Sequence, residues 1–108
     1  MGIAIKEKIR NHLVRARLNV DFPRQSETVG SVDYTIRVDA PEDAQKVEVA
    51  VDQGEWRPCR RSSGYWWHDW SGYEDGEHEV VARLVCAHGK TVLSEAHEFV
   101  VAREKQTA

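Results

Sequence analysis

Between residues 32 and 39 the chain alternates Val32, Tyr34, Ile36 and Val38 with Asp33, Thr35, Arg37 and Asp39. Successive side chains of a strand point to opposite faces, so this period of two predicts a strand with one buried and one wetted face. The same period recurs along the chain. Val14, Ala16, Leu18, Val20 and Phe22 alternate with Arg15, Arg17, Asn19 and Asp21 up to Pro23, and Val47, Val49 and Val51 share one face of "KVEVAVD". "WRPCR" reads as an edge strand, because Pro58 cannot donate to a ladder. "HEVVARLVC" is rich in β-branched residues, and "TVLSEAHEFVVA" reads as a last strand broken near Ser94. Polar connections bearing Gly or Pro separate these runs, among them "RQSETVGS", "APEDA", "DQGE", "SGYEDGE" and "AHGK". About seven short strands at roughly ten-residue spacing, with no helical period between them, predict an all-β antiparallel sandwich.

The N-terminus departs from this pattern. Ile5, Ile9 and Leu13 recur every four residues, a spacing that fits either a short helix or a loosely docked turn within the basic N-terminal segment 1–13. The sandwich is expected over 14–102, and the tail 103–108, "REKQTA", has nothing to bury. Charge divides at the same place. Residues 1–18 carry Lys6, Lys8, Arg10, Arg15 and Arg17 against Glu7, a balance of +4, whereas the rest carries ten basic against seventeen acidic residues, or −7. The segment and the body are expected to attract each other, or a neighbouring copy. An acidic body argues against nucleic acid as a partner, since phosphate recognition needs a basic face.

At 108 residues the chain is expected to form one domain, without a cleft between two. No window approaches the ~20 apolar residues of a membrane span. "MGIAIKEKIRNHLV" lacks the continuous apolar run and cleavage site of a secretory signal, so the expected location is the cytoplasm, with Cys59 and Cys86 reduced. Cys86 and His88 form a lone CxH pair, short of the three or four ligands of a zinc site, and neither metal nor cofactor is expected. The chain has no GxSxG, no HExxH and no Gly-rich phosphate loop, and Asp69, Glu74 and Asp75 surround a loop without an evident pocket. No enzymatic activity is expected.

"KVEVAVDQGEW" and "GYWWHDWSGYEDGEHEVVARLVCAHGK" resemble bacterial Ig-like domains of the early-set immunoglobulin type. Upstream, "ARLNVDFPRQSETVGSVDYTIRV" resembles that family's opening strand, Pro-containing loop and second strand, so the likeness covers about residues 16–101. The pattern is similar also to the C-terminal dimerisation domain of sulfite oxidase-type molybdenum enzymes, although nothing here resembles their molybdenum-binding domain. Cys86 and Lys90 stand where the family often has Asp and Asn, which detaches any calcium or polar-turn role from that hairpin. The resemblance implies fold more than function, because such domains serve as spacers, adhesion repeats, dimerisation domains and accessory modules.

"GYWWHDWSGY", residues 64–73, holds five of the nine aromatic residues. The family's paired tryptophans imply that Trp66 and Trp70 point into the core, with His68 on their side; Tyr65, Trp67 and Asp69 then point out. His78 resembles the residue that pins a corner of such sandwiches through a hydrogen bond. Tyr65 and Trp67, two residues apart, are expected to make a flat outward platform that stacks on a sugar, packs against a partner chain, or lies under the N-terminal segment. Trp56 and Arg57 are grouped with them as a contact surface. The expected role is a non-catalytic interaction module that self-associates or docks to a larger protein; the alternative is a carbohydrate-binding module using the same rings.

Overall fold

The computed structural model describes residues 18–86 and 89–103, which form two facing β-sheets. In chain order the strands are β1 (Asn19–Phe22), β2 (Thr28–Val29), β3 (Asp33–Asp39), β4 (Lys46–Val51), β5 (Arg57–Pro58), β6 (Arg60–Ser62), β7 (Tyr65–Ser71), β8 (Gly76–Val85), β9 (Thr91–Leu93) and β10 (His97–Val101). The first sheet runs β1-β3-β7-β6; the second runs β2-β10-β8-β4-β5, with β9 beside β8. All described pairings are antiparallel except that of β2 with β10. The expected sandwich is therefore present. The N-terminal segment 1–13, for which the spacing leaves helix and turn both open, the start of the first strand at 14–17 and most of the tail lie outside the described residues.

Alternation explains the core. Ile36 and Val38 of β3, Val47 and Val49 of β4, Val80 and Ala82 of β8, and Phe99 and Val101 of β10 are buried between the sheets. Each of these Val, Ile and Phe side chains contributes on the order of 1.5–3 kcal/mol by leaving water. Trp66 is buried with them. Trp70 is half-buried and closes the end of the core: it stacks on Tyr73 at 3.9 Å and meets Phe99 edge-on at 5.5 Å.

Three local departures from the sequence pattern shape the surface. First, "WRPCR" is not one edge strand. Arg57–Pro58 pairs with β4, Arg60–Ser62 pairs with β7, and the chain crosses between the sheets at Cys59. Second, the register of β1 slips between Val20 and Phe22: Val20 faces Val38, and Phe22 faces Arg37. This bulge takes Phe22 off the inward side on which simple alternation puts it, and sets it beside the outward Arg37. Third, the "RQSETVGS" loop contains β2, two residues that complete an edge of the second sheet. The last strand is interrupted at residues 94–96, where Ser94 exchanges hydrogen bonds with the backbone of Ala82.

Two tight turns set the aromatic strand and its neighbours. Ser62 pairs with Tyr65 across Ser63 and Gly64, which have φ of 55° and 82°. Positive φ at both central positions marks the turn type whose twist matches a two-residue hairpin. Asp52 and Gln53, at φ 54° and 61°, make a similar turn closed by a 2.9 Å bond from Gly54 N to Val51 O.

Candidate functional site

The outer face of the four-stranded sheet carries a continuous row of planar side chains. Arg37 lies at its centre, outward between the buried Ile36 and Val38. Its guanidinium carbon stands 4.8 Å from the centre of the Phe22 ring and 4.2 Å from that of Tyr65. Tyr65 then meets Trp67 edge-on, with centroids 6.1 Å apart and planes at 77°. The four groups thus form a ladder of Phe22, Arg37, Tyr65 and Trp67 across β1, β3 and β7. Each contact of the cation with a ring contributes about 0.5–1 kcal/mol, rising toward 2 where water is excluded.

Polar contacts hold the ladder in place. Arg37 Nε donates to Asp21 Oδ2 at 3.1 Å, and Trp67 Nε1 donates to Ser62 O at 2.8 Å. Burial pushes the Asp21 carboxyl up and nearby Asp39 adds to this, against the opposing pull of Arg37. Further along the face, Asp69 accepts from Arg60 at 3.1 and 3.4 Å and from Thr35 at 3.1 Å. These bonds, that from Arg60 foremost, hold its carboxyl below its ordinary value.

The structure does not group all four residues of the expected contact surface. Tyr65 and Trp67 share the ladder, but Trp56 lies on the opposite outer face of the sandwich. There its ring is 4.3 Å from the guanidinium carbon of Arg83, which is outward between buried Ala82 and Leu84. Arg83 also grips the buried Glu48 at 2.6 and 3.1 Å, and this bond lowers the Glu48 pKa against the effect of burial. Arg57 lines the open edge with His68, Asp69 and Trp70, in a concavity of about 450 Å³. The sheet switch at Cys59 causes this separation, since it puts β5 and β7 in different sheets. The Tyr65–Trp67 platform is not flat either: at 77° the rings present an edge and a face.

His68 lies between Trp66 and Trp70 on the inward side, half-buried, with Nδ1 3.2 Å from Pro58 O. His78 fastens a corner. Its Nε2 is 2.7 Å from Glu74 O, its Nδ1 is 2.7 Å from Asp52 Oδ2, and Asp52 Oδ1 accepts from Glu79 N at 2.9 Å. Burial opposes charge on His78, but the Glu74 and Asp52 hydrogen bonds and carboxylate charges outweigh it and raise the pKa. Beside this corner lies a concavity of about 520 Å³ lined by Asp52, Glu77, Glu79, Glu98 and Phe99.

Sequence reasoning missed Phe22, Arg37 and Asp21 as parts of the face, and Tyr73 as part of the core. A stacked Arg leaves no local signal, because its partners come from other strands. Among the described residues no group of His, Cys, Asp and Glu is arranged to hold a metal ion. Cys59 makes a poor nucleophile: burial, with the Glu48 charge, pushes its thiol up to about 12. No helix among the described residues is long and apolar enough to cross a membrane.

No protein-family model matches the sequence, and a comparison with curated proteins finds no match. Solved structures do match in fold. A fibronectin(III)-like module of CbhA from Clostridium thermocellum aligns with TM-score 0.64 and 17% identity, over 78% of this chain and 93% of that one. CopC from Methylosinus trichosporium OB3b aligns with TM-score 0.63 and 12% identity, over 84% of this chain and 97% of that one. At such identities the likeness establishes an Ig-like β-sandwich and nothing finer.

Proposed function

We propose that the chain is a non-catalytic Ig-like interaction module that contacts protein, a second copy or a larger partner, through the outer face of its four-stranded sheet. The observation that carries this reading is the Phe22–Arg37–Tyr65–Trp67 ladder. Aromatic rings and Arg are the groups that dominate protein contact surfaces. Here they are held in advance by Asp21 and Ser62, so little side-chain freedom is lost on docking. The edge-to-face rings favour protein over sugar, because a pyranose stacking on both needs them coplanar. The free thiols of Cys59 and Cys86 fit a cytoplasmic setting.

Light-scattering mass against concentration tests the reading. Wild type is expected to associate and Trp67→Ala to remain monomeric. Affinity electrophoresis is expected to show no retention of either by polysaccharide. Retention of wild type alone, without association, would transfer the face to carbohydrate.

A further inference from the structure

We propose that the open edge strand β6 captures an extended acidic segment of another protein, which adds to the four-stranded sheet as a further strand while Arg61 and Arg57 hold its carboxylates. This surface is the lateral edge of the sandwich, not the aromatic outer face, and stands independently of the reading above.

Unpaired backbone is the first argument. β5 and β6 each end their sheet where the chain crosses at Cys59. β5 is closed to a further strand at Pro58, which has no N–H and whose carbonyl oxygen lies 3.2 Å from His68 Nδ1. β6 has no such closure. Ser62 and Tyr65 flank a two-residue turn, so they exchange both backbone bonds, and alternation makes Arg60 and Trp67 the next pair to do so. The N–H and C=O of Arg61 therefore point away from β7, and neither bonds to a described residue. An extended segment laid along β6 satisfies both groups, which is how a strand adds to an open edge.

Charge is the second argument. "RPCRR", residues 57–61, places three arginines and no carboxylate in an otherwise acidic body. Asp69 holds Arg60 at 3.1 Å on the outer face. Arg61 is exposed and pairs with no carboxylate among the described residues; its guanidinium carbon rests 5.7 Å from the centre of the buried Trp66 ring. Arg57 meets the exposed Glu55 at 3.9 Å, where an ion pair contributes little. Four residues along a strand span at most ~13 Å, so the two guanidiniums suit carboxylates on alternate residues of an extended chain. The concavity of about 450 Å³ that Arg57 lines with His68 and Trp70 gives that chain room to leave the edge. Charge that keeps neutral strands off an edge admits an acidic one. Among its described residues a second copy supplies no such segment. Its Glu79 and Glu98 already pair with each other across β8 and β10, and Glu42, Asp43, Glu74 and Asp75 lie in short connections between strands.

The full chain carries the test, with the acetylated and amidated heptapeptide Glu-Thr-Glu-Thr-Glu-Thr-Glu as probe. Titrated into ¹⁵N-labelled protein, it is expected to shift the amide signals of Arg61 and its neighbours on β6 and β7. Replacing Arg57 and Arg61 together by Gln is expected to weaken binding about tenfold or more and to leave signals remote from the edge unchanged. A peptide with Gln for every Glu is expected to bind as weakly. N-methylation of the Glu residues, which blocks backbone pairing, is expected to abolish binding. Equal binding of the methylated peptide, which means charge without strand addition, overturns the inference. So do undiminished binding by the double variant, shifts centred on Phe22 and Trp67 instead of Arg61, and the absence of binding at millimolar peptide. Arg61 shifts that grow with protein concentration alone give the edge to a second copy and overturn it as well. Wild type that binds the peptide at β6 without associating keeps this inference and removes the self-association expected of the aromatic face. Association that Trp67→Ala abolishes, with no peptide bound, does the reverse.

Discussion

Arg37 packs over Tyr65, with the guanidinium carbon 4.2 Å from the ring centre, and the same carbon stands 4.8 Å from the centre of the Phe22 ring. A cation packed against two rings is partly shielded from water, so its influence on nearby charge is stronger than that of a free surface arginine.

Asp21 reports on this arrangement. Its carboxyl is raised by burial and by Asp39, while Arg37 pulls it down. Arg37→Met keeps the stem and removes the cation, so the Asp21 pKa is expected to rise further. Asp39→Asn is expected to lower it. A carboxyl-carbon NMR titration reads both, and no rise in Arg37→Met would mean that the stacked pair does not act on Asp21.

His78 ties the β4–β5 turn to the corner before β8, and its pKa is raised above 6.5 in the folded chain. A group that binds its proton more tightly when folded stabilises the fold fully below its unfolded pKa. That contribution is lost as pH rises through the folded value. The denaturation midpoint is therefore expected to fall from about pH 6.5 upward, by an amount missing from His78→Gln. Equal slopes in the two proteins over this range would remove His78 as the cause.

Long alternating runs are legible in the residue order alone. β3, β4 and β8 each offer enough residues for a period of two to emerge, and the paired tryptophans of β7 follow from the family likeness. What escapes has no period. β2 is two residues long, and Tyr73 is a lone ring in a polar loop. Phe22 is re-aimed by a bulge, which breaks the parity on which alternation depends. The grouping of Trp56 with Tyr65 fails because a strand changes sheets at Cys59, an event set by tertiary packing. The candidate face is half legible: its aromatic members Tyr65 and Trp67 lie two residues apart in sequence, but the arginine packed against Tyr65 comes from another strand.

Cys59 sits at that crossing, with its thiol pushed up to about 12 by burial and the Glu48 charge. Since the thiolate is the reactive form, alkylation of Cys59 by iodoacetamide at pH 8 is expected to be slower than in the denatured chain by about a thousandfold or more, from ionisation alone. Peptide mass mapping over a time course measures it. A native rate near the denatured one would show that the crossing opens readily.

Tyr73 separates two contributions at the end of the sandwich. Its hydroxyl donates to Ser31 O at 2.7 Å, and its ring stacks on Trp70 at 3.9 Å. Tyr73→Phe removes only the hydrogen bond. Because Ser31 is exposed, water can take up the vacated carbonyl, and the expected cost is about 0.5–1.5 kcal/mol. Tyr73→Ala removes the ring as well and leaves a gap beneath Trp70, for an expected cost of about 3–5 kcal/mol, as for other buried aromatic truncations. The near-ultraviolet circular dichroism of Trp70 is expected to persist in Tyr73→Phe and to collapse in Tyr73→Ala. Urea midpoints at constant slope read the energies, and equal losses in the two variants would mean that the hydrogen bond, and not the stacked ring, closes this end of the core.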